Sequence, residues 1–142
     1  LEHRLEHVAI FNGIEFINDS KATNIESVIV AIKAFDRPIV LLLGGYNKKS
    51  NFRLLLPHIK SNHVRAIISY GEAGGQIKTA LGDAVRLVHV THLKSAVNKA
   101  QILAKPGELV LLSPGCASFD EFSNFEERGN FFKKTVYELS HK

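Results

Sequence analysis

The chain has 142 residues, 45% of them hydrophobic and 23% charged, and its 18 Lys and Arg against 14 Asp and Glu leave a net charge of +4. That length suits one domain around a single core, and the composition has neither the low apolar content nor the high charge of a disordered chain. Apolar runs such as Ile39 to Leu43 fall far short of the ~18 residues a membrane helix needs, and the scattered basic residues suit small anions rather than nucleic acid, so no membrane or nucleic-acid partner is expected.

His7 to Phe11, then Asn12-Gly13, then Ile14 to Asp19 predict a β-hairpin, because Asn-Gly supplies the two positive φ angles of a type I′ turn. Asn24 or Thr23 is the expected cap of a helix with an apolar stripe at Ile25, Val28, Ile29, Ile32 and Phe35, closed by Pro38. Ile39 to Leu43 reads as a fully buried strand ending at Gly44-Gly45. Phe52, Leu55, Leu56 and Ile59 mark a short helix, Ala66 to Tyr70 a strand, and Gln76 to Leu81 another helix. Val85 to Val90 is a further strand. Leu93 to Ala104 is a helix, Leu109 to Leu112 a buried strand, and the last helix lies within Asn124 to Leu139. Apolar strands separated by helical patterns indicate parallel βαβ units. The expected fold is α/β: a Rossmann-like three-layer sandwich with a mostly parallel sheet and an N-terminal hairpin.

Ligands of open parallel sheets bind at the carboxyl ends of the strands, which selects four segments. Asp19-Ser20-Lys21-Ala22-Thr23-Asn24 places a carboxylate, an ammonium and hydroxyls at a helix start, where free N–H groups favour an anion. Gly44 to Asn51 is glycine-rich and basic, yet the phosphate-loop pattern G-x-x-x-x-G-K-[ST] occurs nowhere in the chain. Gly71 to Gly75 reads as a tight strand-to-helix turn. Ser113 to Phe122 leaves a strand through small residues that let a ligand approach backbone N–H groups. Cys116 reads as a small buried thiol rather than a nucleophile. The seven histidines lack metal-ligand spacing, so no metal site is expected here. One cysteine allows no internal disulfide, and the charged start from Leu1 to His7 has no apolar signal core; both suit the cytoplasm. The absence of Met points to a piece of a longer protein.

Taken in order, several segments resemble the C-terminal domain of the Mur ligases, in the branch that adds D-glutamate. They are Leu1-Glu2-His3-Arg4, the Asn12-Gly13 hairpin, Asn18 to Asn24, Gly44-Gly45 with Lys48, and Leu111 to Phe122 leading to Asn124-Phe125-Glu126-Glu127-Arg128-Gly129. The resemblance spans nearly the whole chain, so residues 1–142 are expected to be one domain of a three-domain ligase, monomeric and inactive alone. It implies ATP-dependent amide formation in peptidoglycan precursor synthesis, in which UDP-N-acetylmuramoyl-L-alanine is activated as an acyl phosphate and attacked by D-glutamate. It further implies that Arg4 and Asp19 contact the nucleotide, Asp19 at the ribose, and that Lys21 faces the terminal phosphate as the catalytic cation. Thr23, Lys48 and Ser118, with backbone N–H groups near Phe119 and Phe125, would hold the D-glutamate carboxylates. Lys48 and Ser118 are expected on the open rim, outside the core. The phosphate loop and the Mg2+ ligands would belong to the other domains.

Two residues depart from the family pattern. Asn47 stands where many relatives carry an acidic residue, and Gly115 replaces a more usual alanine. The competing readings are a stand-alone nucleotide- or amino-acid-binding module and a folylpolyglutamate synthase-like glutamate ligase.

Overall fold

The computed structural model describes residues 1–47 and 49–142. The expected hairpin forms from β1 (Glu6–Phe11) and β2 (Ile14–Asn18), paired antiparallel. Asn12 at φ +52° and Gly13 at φ +73° supply its turn, as the Asn-Gly signal requires. The chain continues through α1 (Ile25–Lys33), β3 (Ile39–Gly44), a 3-10 turn (Phe52–Leu55), α2 (Leu56–Ser61), β4 (Val64–Tyr70) and α3 (Gly74–Leu81). It ends with β5 (Arg86–His89), α4 (Leu93–Leu103), β6 (Leu109–Gly115) and α5 (Phe125–Ser140).

The six strands lie in the order β1-β2-β6-β3-β4-β5, parallel apart from the hairpin. From β2 to β5 the chain advances in one direction across the sheet, and α4 then carries it back so that β6 inserts between β2 and β3. Right-handed crossovers put helices of opposite travel on opposite faces. Accordingly α1, α2 and α3 cover one face, while α4 and α5 cover the other. Alternation along the central strands feeds both layers: Ile39, Leu41 and Leu43 face the first, and Val40 and Leu42 the second. Each wholly buried Leu or Ile side chain contributes about 1.5–3 kcal/mol.

Three local outcomes differ from the sequence reading. Of the two proposed caps, Asn24 does the capping, its Oδ1 accepting from Ser27 N–H at 2.9 Å. Helix α1 stops at Lys33, well before Pro38, and leaves Phe35 packed against the core from outside the helix. Strand β6 runs through Ser113-Pro114-Gly115, beyond the apolar run. A proline is tolerated there because pairing with β2 ends at Leu112 and the register against β3 shifts between Leu42 and Gly44. Among the described residues, no helix is long and apolar enough to cross a membrane.

Candidate functional site

The carboxyl ends of β2, β6 and β3 converge where the connections from neighbouring strands leave to opposite faces, the crevice in which open α/β sheets bind ligands. Segment 19–24, leaving β2, is strapped on both sides. Asp19 N–H donates to Leu112 O (2.8 Å), Lys21 N–H to His3 O (2.9 Å), and Ala22 O accepts from Gly115 N–H (2.8 Å).

Asp19 is only 4% exposed. Its Oδ1 accepts from Leu5 N–H at 3.0 Å, and its Oδ2 accepts from Ser113 Oγ at 2.8 Å. Burial raises its carboxyl pKa above the ordinary value, against the opposing pull of Ser113, the Leu5 amide and the Arg4 charge. Arg4, Asp19 and Lys21 line one cleft of about 220 Å³, with Leu5, Ala22, Val30 and Ala31 as its apolar wall. Both cations are solvent-exposed.

A second cleft, of about 320 Å³, takes Thr23, the residue after Ala22 of the first cleft. Thr23, Ser118, Phe119 and Phe125 line it, together with Ala117 and Asn124. Four of the five residues named for D-glutamate thus surround one cavity. The fifth, Lys48, lies outside the described residues. One expectation is corrected: Ser118 is not on an open rim but 2% exposed, its carbonyl accepting from Phe122 N–H at 2.8 Å. The turn closes back over the serine because two amides reach its carbonyl, the other being Glu121 N–H at 3.2 Å. Phe119, by contrast, is 58% exposed at the mouth.

The turn from Cys116 to Phe122 is fixed at several points. Ala117 and Tyr46 exchange backbone hydrogen bonds of 3.0 and 2.8 Å, bridging β6 to the end of β3. Gly45 lies beneath them at φ +125°, where a Cβ would come within 2.5 Å of Ala117 O. Asp120 Oδ2 accepts from Glu72 N–H at 3.1 Å, and Glu121 accepts from Leu93 N–H at 3.2 Å, capping α4 in place of His92. Burial, with Asp120 beside it, pushes the Glu121 carboxyl up. Burial also pushes the Cys116 thiol up to about 12, consistent with an inert packed thiol.

Sequence reasoning assigned no role to Ser20, Ser113 or Arg128. Arg128 is 1% exposed, and its guanidinium donates to Ser20 Oγ (2.9 Å), Ser20 O (2.7 Å) and Cys116 O (2.9 Å). A signal was available: Arg128 occupies the buried stripe of α5 with Phe132 and Val136, spaced four residues apart. An arginine at a core position needs internal partners, and the small polar segments around Ser20 and Cys116 supply them. Among the described residues, no group of three His, Cys, Asp or Glu could hold a metal ion.

Comparison with known proteins places this geometry. A family model described as Mur ligase, glutamate ligase domain, matches residues 3–116. Proteins called UDP-N-acetylmuramoylalanine--D-glutamate ligase are 46% identical in Acidobacterium capsulatum, 42% in Chlamydia felis and 41% in Bacillus subtilis. These matches cover 100%, 96% and 98% of this chain, but 30%, 32% and 31% of those proteins. The chain thus spans about a third of the length of the curated relatives it matches. Among solved structures, E. coli FolC in complex with ADP superposes with a TM-score of 0.66 at 19% identity, covering 99% of this chain and 33% of that one. MurF from Thermotoga maritima, also in complex with ADP, gives 0.62 at 13% identity, over 98% and 32%. At such identities the structures show a shared fold, while the sequence relatives and the family model show descent: this chain belongs to the Mur ligase family, as its glutamate ligase domain.

Proposed function

We propose that this domain presents D-glutamate to an activated carboxylate in an ATP-dependent ligase that extends UDP-N-acetylmuramoyl-L-alanine during peptidoglycan precursor synthesis. The observation that carries the reading is the pair of clefts flanking segment 19–24, one cationic and the other lined by hydroxyls and loop backbone. The relatives' shared name supports a muramoyl-alanine acceptor with D-glutamate over a folate acceptor.

ATP supplies the phosphoryl group that turns the acceptor carboxylate into an acyl phosphate. Within this domain, the first cleft has room for a ribose-sized portion of a nucleotide rather than the whole of it. Asp19 keeps lone pairs for sugar hydroxyls, with Arg4 beside it. Lys21 holds its ammonium over the phosphoryl oxygens, where an unneutralised charge would otherwise build up in the transition state. Thr23, Ser118 and Lys48 bind the two carboxylates of D-glutamate, joined by amides near Phe119 and Phe125. The amine is left free to attack the acyl carbon, expel phosphate and lose its proton. Among the described residues the donor set suits anions and no carboxylate or histidine cluster could hold Mg2+, so we assign the metal ligands and the phosphate loop to partner domains of the same ligase. The reaction belongs in the cytoplasm, where a lone buried thiol stays reduced.

The test uses the full ligase containing this domain. ADP release should require D-glutamate and UDP-N-acetylmuramoyl-L-alanine together, and L-glutamate should not substitute. Release driven by a folate acceptor instead would overturn the reading. The isolated domain should fold and release no ADP.

A further inference from the structure

The proposed chemistry leaves unused a fully buried cation, Arg128, which is 1% exposed. Arg128 spends its guanidinium on two chain segments that are far apart in sequence. Its Nε and Nη2 close on the hydroxyl and carbonyl of Ser20, and its Nη1 takes the carbonyl of Cys116. Ser20 passes the connection on, donating its own hydroxyl proton to Phe125 O at 2.7 Å. Thr23 follows Ser20 by three residues, Ser118 follows Cys116 by two, and Phe125 lines the cleft itself. Three walls of the D-glutamate cleft therefore hang on one planar group.

A buried charge whose hydrogen bonds go to carbonyl and hydroxyl oxygens is an expensive way to stabilise a fold, since an apolar residue of similar volume is often as good. What the planar fork offers beyond packing is fixed geometry between the groups it joins. We propose that Arg128 is a positioning residue: it sets the distance between segment 19–24 and the Cys116–Ser118 turn, and so the span across which D-glutamate is held. The proposal rests on the functional reading above.

The experiment measures KM for D-glutamate and for ATP, with kcat, in the full ligase carrying Arg128→Lys, Ser20→Ala or both. A lysine keeps the charge but cannot reach both walls, and a misplacement of ~1 Å costs on the order of a hundredfold, so Arg128→Lys should raise the D-glutamate KM by roughly ten- to a hundredfold. The ATP KM should stay within about twofold, because Asp19 and Lys21 are held through Leu5, Ser113, Leu112 and His3 rather than through Arg128. Ser20→Ala removes the hydroxyl link and keeps the carbonyl, so it should raise the same constant by a few-fold. The double variant should fall short of the product of the two, because both act through one network. If Arg128→Lys does not fold, Ser20→Ala decides alone. An unchanged D-glutamate KM, or an equal rise for ATP, overturns the proposal and leaves Arg128 a structural residue. A parent ligase with no D-glutamate-dependent turnover defeats the functional reading instead. Hydrogen exchange then decides the arginine's part: faster exchange in Ser20→Ala across residues 19–24 and 116–125 together supports the linkage, and exchange confined to one segment refutes it.

Discussion

The two ends of the sheet's carboxyl rim are built from similar materials and differ in how they are finished. On the β4–β5 side, two grooves of about 430 and 440 Å³ run along the 3-10 turn, α2 and α3 and share Arg53, Thr79 and Ala80; the first reaches the rim at Gly75 and Gln76. Ser69 Oγ and His89 Nδ1 link those two strands at 3.2 Å. At the β2–β6 end the clefts are smaller, yet Asp19, Ser20, Ser113, Ser118 and Arg128 are all buried and polar. Volume therefore points toward the β4–β5 side. Convergent buried polar groups point to the other, because such groups are costly unless something uses their placement.

The sharpest way to break this contrast is Lys21→Ala in the full ligase. Loss of a preorganised charge at a developing oxyanion costs about a hundredfold or more, and the fall should appear in kcat rather than in affinity. A rise in ATP KM alone would make Lys21 a ground-state anchor. Next in size is Lys48→Ala, which should raise the D-glutamate KM by roughly 10- to 150-fold, the range of a hydrogen bond to a charged group, with the ATP KM little changed. Steady-state kinetics with each substrate varied in turn measures both.

Asp19→Asn separates function from stability. Burial raises the Asp19 carboxyl above 3.8, so the folded protein binds that proton more tightly than the unfolded chain does. Its contribution to stability is full below the unfolded value and is lost as pH rises through the folded value. An asparagine keeps an acceptor for the Leu5 amide and can donate to Ser113 Oγ. The variant should therefore gain stability relative to the parent as pH climbs out of the acid range, and the two should converge at low pH. Meanwhile its ATP KM rises. Denaturant titrations across pH would expose the opposite sign, an advantage for the parent at neutral pH, which would mean that the carboxylate is a net stabiliser.

The contrast also explains what could be read from sequence. Strands such as Ile39–Leu43 and the Asn12-Gly13 turn are local signals, carried by residues that adopt their structure for reasons within a few positions. Segment 19–24 was legible because a helix cap and a strand end fall together there, and the resemblance supplied its roles. The Ser20–Arg128 link spans 108 residues of sequence, and Asp19–Ser113 spans 94. Nothing local to a serine announces either partner. Ser118 was misplaced for the same reason: its burial comes from a turn that folds back over it, held by Glu72, Leu93 and Tyr46 from three other connections.

The smallest expected effect lies where the two ends of the rim touch. Asn47 Oδ1 accepts from Ser50 N–H at 2.7 Å, and its Nδ2 donates to Gln76 Oε1 on α3 at 2.8 Å. That second bond is exposed, and a neutral hydrogen bond contributes about 0.5–1.5 kcal/mol at most positions, with solvent competing for this one. Gln76→Ala should thus change the D-glutamate KM by no more than about threefold, and the ATP KM and kcat not at all. Asn47→Asp places a carboxylate at this position. It keeps the acceptor for Ser50, and Gln76 can turn its amide to donate, so the variant should be nearly silent as well. A tenfold loss in either would show that the β4–β5 end takes part in holding D-glutamate, and the division between a finished and an unfinished end of the rim would have to be abandoned.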